Sequence, residues 1–172
     1  MLDEMADKND PEIVEMVARH MEDSRPEIRH VAVEALRRVA ERNDASLVSA
    51  VAARLAHPVP YVRALVADAV TAVANKGYRP MIDALAVHLE STEGGVRAAA
   101  ALALGQMAVR GDADLAAALE PLLHDGDAEV RWAAACSLFS LVDVGPKGDP
   151  ELTARIQASS PSRGMRRGVR QA

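Results

Sequence analysis

Apolar residues recur along the chain at helical spacing, in two kinds of segment that alternate. In the first kind, which we call a B helix, one apolar face is expected because the apolar positions are three or four residues apart. In the first B helix these positions are Ile13, Val14, Val17 and Met21. The same positions are apolar in three further copies, which follow at a constant interval within 47–55, 81–89 and 115–123.

The second kind of segment, which we call an A helix, opens with Val-Arg or Ile-Arg and continues as an alanine-rich run. Its arginines recur at the same interval and are Arg29, Arg63, Arg97 and Arg131. The apolar stripe is wide, and in the first A helix it extends from Ile28 and Val31 through Leu36 to Ala40. We expect it to bury each A helix against its own B helix and against its neighbours in a stack.

A fixed period of about 34 residues with paired helices predicts an all-α fold, an α-solenoid of stacked antiparallel helical hairpins. Full units are predicted over 24–57, 58–91 and 92–125, after a partial first unit and before a final A helix. We therefore assign 1–143 to the repeat array and 144–172 to a loop, a weak helix and a basic tail. The ends fit either a segment of a longer array or degenerate caps, and the segment is favoured because neither end has a fully polar capping helix.

Composition agrees with closely packed helices. The chain is 49% hydrophobic, which is typical of a folded protein, but only 2% aromatic. Its core must therefore consist of Ala, Val, Leu, Ile and Met, which favours helix packing over a sheet sandwich.

The repeats resemble a known family. Residues 125–135 form an acidic loop followed by Val-Arg, Trp and three alanines, and 96–105 begin with Val-Arg and end with Ala-Leu-Gly. This pattern is similar to that of HEAT repeats, in the short variety first noted in phycobilisome lyases, over about residues 12–142. Tetratricopeptide repeats have the same length but need large aromatics at fixed places, and this chain has four aromatics. The resemblance implies a HEAT-like solenoid whose B helices line the concave face.

The resemblance also implies a structural ladder in which each of the four arginines meets an Asp six residues earlier. Asp23 and Asp125 keep this spacing before the first and last arginines. His57 and Ser91 stand there in the middle repeats. The middle of the ladder is therefore left open.

No residue pattern points to catalysis. The five histidines are not placed to share a metal, since His20 and His88 would be separated by two helix diameters, or about 20 Å. Cys136 lies mid-helix without a nearby His and is interpreted as a packing residue, and no glycine-rich phosphate loop is present. We expect no enzyme activity, no cofactor and no metal. A bilin lyase-like accessory or enzyme subunit remains the alternative that the resemblance implies.

The single cysteine excludes an intramolecular disulfide and is typical of a reducing, intracellular compartment. The acidic N-terminus lacks the apolar region of a secretory signal, and no apolar run is long enough for a membrane span. The cytoplasm is favoured, with an organelle left open.

The net charge of −5 is unevenly distributed. Residues 145–172 carry six basic and two acidic side chains, including a basic tail of Arg163, Arg166, Arg167 and Arg170. The acidic body argues against nucleic-acid binding by the repeats. The tail could contact an anion or nucleic acid, or it could be a solvated terminus.

Two surfaces are candidates for a protein partner. The B-helix face carries Glu15, Asp83 and Glu90 around small residues, and suits a basic peptide or part of a larger assembly unless it is simply solvated. The last A helix carries Trp132, Cys136 and Phe139 on what we interpret as its outward side, where the first repeat has polar residues. Residues 145–160 are expected to fold back over this apolar stripe, or a partner covers it.

Overall fold

The computed structural model describes residues 11–141 and Ala154, and in this part of the chain it contains eight α-helices. The A helices are α2 (Pro26–Val39), α4 (Pro60–Val73), α6 (Gly94–Met107) and α8 (Ala128–Leu141). The B helices are α1 (Pro11–Arg19), α3 (Ala45–Ala53), α5 (Arg79–Ala86) and α7 (Ala113–Leu119). Every A helix begins at the same position of its repeat, so the predicted all-α solenoid is confirmed.

Each B helix ends in a tighter 3₁₀ turn, a feature that the sequence pattern did not predict. The turns are His20–Glu22, Arg54–Ala56, Val87–Glu90 and Glu120–His124.

Local sequence sets several helix starts. Pro26 and Pro60 occupy the first turn of α2 and α4, where a missing N–H costs nothing. Asp44 and Asp112 cap α3 and α7 by accepting hydrogen bonds from the Leu47 and Leu115 amides, each 3.0 Å long.

The hairpins stack in two layers, with the core between them. The A helices contact one another in the order α2, α4, α6 and α8, and α1, α3 and α5 make the corresponding contacts among the B helices. Equivalent residues of the four A helices have no exposed surface: Leu36, Val70, Leu104 and Leu138. They pack in one continuous cluster with B-helix residues such as Leu47, Met81 and Leu115. A core without aromatics is possible because alanines let the helices approach closely.

The expected burial of Val31 is wrong: its side chain is 61% exposed. At the equivalent positions Ala99 is 8% and Ala133 is 0% exposed. Ala133 lies one helical turn before Ser137, whose hydroxyl hydrogen-bonds to Ala101 of α6, so these positions are on the side of the A helix that faces the preceding A helix. Val31 belongs to the first A helix of the described residues, so the described part of the chain offers no preceding A helix to cover it.

The loops between A and B helices hold a contact that joins successive repeats. One residue in each of three loops has a left-handed backbone conformation: Asn43 (φ 68°), Gly77 (φ 78°) and Gly111 (φ 79°). Each donates its amide N–H to the last carbonyl of the next A helix, at 2.9 Å to Val73, 2.9 Å to Met107 and 3.1 Å to Leu141. These bonds satisfy carbonyls that a helix end otherwise leaves unpaired.

Several expectations lie outside the described residues. They are the partial first unit before Pro11, the boundary between 143 and 144, and the loop, weak helix and basic tail of 144–172 apart from Ala154.

Candidate interaction surfaces

The four ladder arginines bind the loop that precedes their own A helix through backbone carbonyls. In each case Nη1 donates two hydrogen bonds of 2.7–3.1 Å. The acceptors are the carbonyls of Asp23 and Ser24 for Arg29, His57 and Pro58 for Arg63, Ser91 and Thr92 for Arg97, and Asp125 and Gly126 for Arg131. Since every residue has a carbonyl, this contact does not require Asp, and His57 and Ser91 serve equally well.

The carboxylates make different contacts from those that the sequence spacing implied. Asp125, in the loop before α8, binds Arg97 of the preceding A helix, accepting hydrogen bonds of 2.8 Å from both Nε and Nη2. This guanidinium lowers the pKa of Asp125. Asp23 accepts hydrogen bonds of 3.0 and 3.1 Å from the Arg25 guanidinium, and the same hydrogen bonds lower the pKa of Asp23 to about 2. Asp125 therefore joins α6 to the loop that precedes α8, whereas the Asp23 carboxylate binds within its own loop.

The other two junctions between A helices use no carboxylate at this place. Arg29 stacks on the ring of Tyr61 in the next repeat, 4.0 Å from the ring centroid, which is a cation–π contact. Arg63 lies over Gly95, where an added Cβ would be 2.7 Å from its Nη2. Arg29, Arg63 and Arg97 thus each contact the next A helix or the loop before it, by three different kinds of contact.

On the B-helix face, Glu15 is compensated by basic neighbours. It accepts a hydrogen bond of 3.3 Å from Arg19 and lies 3.8 Å from Arg54 Nη2. The Arg54 side chain is only 8% exposed, and its Nε lies 3.2 Å from Glu22 Oε1 without directional hydrogen-bond geometry. Glu22 also lies 3.8 Å from His57 Nε2. Sequence reasoning missed this cluster. The available signal was that Arg54 occupies the position equivalent to His20, which lies between Glu15 and Glu22 in the preceding repeat.

The acidic residues of α5 and its 3₁₀ turn are more available to a partner. Asp83 and Glu90 are both exposed on the same face. Asp83 lies 3.8 Å from Arg79, which is shared with Asp112 at 3.6 Å. An open groove runs between α3 and α5, and its lining includes Val48, Ser49, Ala52, Pro80, Ala84 and His88. We call it the α3–α5 groove.

The apolar stripe of α8 is exposed, and Phe139 differs in direction from the outward side that the sequence pattern indicated. Trp132 is 46% and Phe139 is 54% exposed, and Cys136 is also exposed, with its thiol pKa raised by partial burial. The residue equivalent to Phe139 is Gly105, and a Cβ there would lie 2.5 Å from Ser137 of α8. Phe139 therefore lies on the side of α8 that faces the C-terminal end of the stack.

Other predicted site residues lie outside the described residues. They are residues 145–160 apart from Ala154, which were expected to fold back over the stripe, and the basic tail of Arg163, Arg166, Arg167 and Arg170. Within residues 11–141 and Ala154, no three His, Cys, Asp or Glu side chains are arranged to hold a metal ion. The helices of this same part are too short or too polar to cross a membrane.

The sequence matches the family model for HEAT repeats over residues 48–139, which is more than half of the chain. Two solved structures are similar. An engineered protein of known crystal structure is 20% identical with a TM-score of 0.42, over 85% of this chain and 69% of that one. A designed armadillo repeat protein in complex with the peptide (KR)4 is 18% identical with a TM-score of 0.45, over 85% and 70%. No curated protein matches the chain.

Proposed function

Because the chain belongs to the HEAT repeat family, a fold that commonly mediates protein–protein interaction, we propose that it is a non-catalytic scaffold for a protein partner. The partner is a segment rich in Lys and Arg, bound on the B-helix face. Stacked repeats suit this role because they present a continuous surface much longer than a single hairpin.

The charge of the B-helix face supports a basic partner. The four B helices with their 3₁₀ turns hold seven Asp or Glu residues and three Arg residues. Arg54 and Arg19 compensate Glu15 and Glu22. In contrast, α5 and α7 with their 3₁₀ turns hold four acidic residues against Arg79 alone. The observation that carries the proposal is the exposure of Asp83 and Glu90 on α5 and its 3₁₀ turn, the same part of the chain that contributes Pro80, Ala84 and His88 to the α3–α5 groove. Such charges speed association and select the partner more than they add affinity.

A charge-reversal experiment tests this site. The double variant Asp83→Lys, Glu90→Lys is titrated against a fluorescent peptide of alternating Lys and Arg at low salt, with anisotropy as the signal. We expect binding to weaken at least tenfold. The control is Glu34→Lys, Asp68→Lys, which makes the same charge change on exposed A-helix positions. Equal weakening in both variants would indicate a response to net charge and contradict a site on the B-helix face.

We propose a second contact at the apolar stripe of α8, which residues 145–160 or a protein partner cover. The exposure of two of the four aromatic residues on one helix side supports it, since exposed apolar patches usually mark contacts. Phe139→Asp in the full chain should displace the covering segment and shift Trp132 emission to the red. Ser140→Asp, one residue further along α8 and also exposed, should leave the emission unchanged. An unchanged spectrum in both variants would contradict a covered stripe.

A further inference from the structure

The α3–α5 groove exists because three side chains change between one pair of B helices and the next. Between α1 and α3, Arg54 fills the junction: it is 7% exposed and reaches both Glu15 and Glu22. One repeat later its place is taken by His88, while Ser49 and Ala56 replace the two glutamates. The shorter imidazole and the small side chains leave the space between α3 and α5 open.

The groove has apolar walls and a polar edge. Val48 and Ala52 form part of its lining and are each 4% exposed, with Ala84 and Pro80 opposite them on α5. His88 is half-buried, and burial lowers the pKa of its imidazole, which favours the neutral ring at pH 7. A neutral ring among alkyl groups suits an aliphatic side chain better than a charged one.

The charged residues near the groove favour certain residues on either side of the aliphatic residue in a bound segment. Asp83 and Glu90 come from the same helix and 3₁₀ turn as Ala84 and His88. Arg79 is the basic neighbour, and it is shared between Asp83 and Asp112. Asp83 is equivalent to Ser49, which faces the next B helix, so Asp83 lies on the side of α5 away from α3. A bound segment that crosses α5 from the groove would therefore place its next residues near these carboxylates.

We propose that the α3–α5 groove binds one Leu, Ile or Met side chain of a partner segment whose flanking residues are Lys or Arg. The proposal rests on the proposed function and adds to it: charge places the segment on the B-helix face, and the apolar residue sets its register. The binding free energy that the aliphatic side chain adds depends on the apolar area that the groove removes from water.

Two peptides of equal charge test the proposal, Lys-Arg-Ser-Leu-Ser-Arg-Lys and the same sequence with Ser in place of Leu. We expect the Leu peptide to bind the wild-type chain about tenfold more tightly. Ser49→Leu, at an exposed groove position, should remove this difference by occupying the groove, while both peptides still bind. Ala117→Leu is the matched control, since it adds the same side chain at the equivalent exposed position two repeats on, outside the groove.

The possible results distinguish the groove proposal from the proposal of a basic partner segment. If both peptides bind the wild-type chain equally, the groove proposal is overturned and the basic-segment proposal stands. If neither binds, the proposed function fails and the groove proposal with it. If the advantage of Leu survives in Ser49→Leu, or is lost equally in Ala117→Leu, the apolar residue is bound elsewhere and the groove proposal is overturned.

Discussion

Gly105 on α6 packs directly against Ser137 on α8. A Cβ on Gly105 would lie 2.5 Å from Ser137 Oγ and 3.0 Å from Ser137 Cα, and the Ser137 hydroxyl donates a hydrogen bond of 2.7 Å to the Ala101 carbonyl. The two A helices therefore meet at backbone distance. Phe139 is the residue equivalent to Gly105 in the next repeat, so another A helix could not approach α8 as closely as α8 approaches α6.

Gly105→Ala should destabilise the fold by about 1–3 kcal/mol, measured by urea unfolding. The added methyl group meets backbone atoms of α8, so the helices must separate, and this cost exceeds the gain of up to about 1 kcal/mol in helix propensity. Gly126→Ala is the control, because nothing lies within 4 Å of a Cβ there. An increase in stability for Gly105→Ala would contradict the close contact.

The left-handed loop residues allow a paired test of backbone strain and contact. Gly77→Ala and Gly111→Ala both force a side chain into a positive φ, which costs about 1–2 kcal/mol. At Gly77 the new Cβ would also lie 2.8 Å from Val109 Cγ2, whereas nothing lies within 4 Å at Gly111. Thermal unfolding should therefore show the larger loss for Gly77→Ala. Equal losses would mean that Val109 moves away without cost.

The bond between Asp125 and Arg97 predicts how stability depends on pH. The pKa of Asp125 is lowered in the folded chain, so its contribution is present above the unfolded pKa of about 3.9 and is lost as pH falls through the lower, folded value. Asp125→Asn should cost about 1–2 kcal/mol at pH 7, since it weakens a charge-assisted pair. The difference from wild type should shrink below about pH 4.

Asp68→Asn is the control for this pH series, because Asp68 is an exposed carboxylate on α4. It should change the free energy of unfolding by less than about 0.5 kcal/mol at any pH. A difference between Asp125→Asn and wild type that stays constant from pH 7 to pH 2 would contradict the role of the Asp125 charge.

The repeat period predicted the helices well because each repeat uses the same positions for its core, as Leu36 and Leu104 show. It could not assign a direction to positions whose neighbours change along the stack. Phe139 and Gly105 are equivalent in sequence, yet one is exposed and the other touches the next helix.

The acidic surface shows the same limit of sequence reasoning. Glu15 and Asp83 are equivalent B-helix positions two repeats apart, and both were predicted to contact a partner. Glu15 lies near Arg54, a residue of the next repeat, which sequence position alone does not reveal. Whether a surface charge is available to a partner therefore depends on the side chains of the repeat that packs beside it. The repeat period shows which residues could be those neighbours, but not which of them make contact.

The buried Arg54 leads to the last prediction. Arg54→Leu should change stability by less than about 1 kcal/mol, because a well-packed apolar residue often replaces a buried ion pair without loss. Leu122 stands two repeats later at the equivalent position and is only 8% exposed.

Glu22→Ala should cost more, about 1–2 kcal/mol, since it leaves the Arg54 guanidinium buried with only the more distant Glu15 as a carboxylate partner. In the Arg54→Leu background the same Glu22→Ala change should cost almost nothing, and a double-mutant cycle by urea unfolding measures the difference. Additive effects would mean that Arg54 and Glu22 do not interact, and that packing of the Arg54 side chain alone holds α1 against α3.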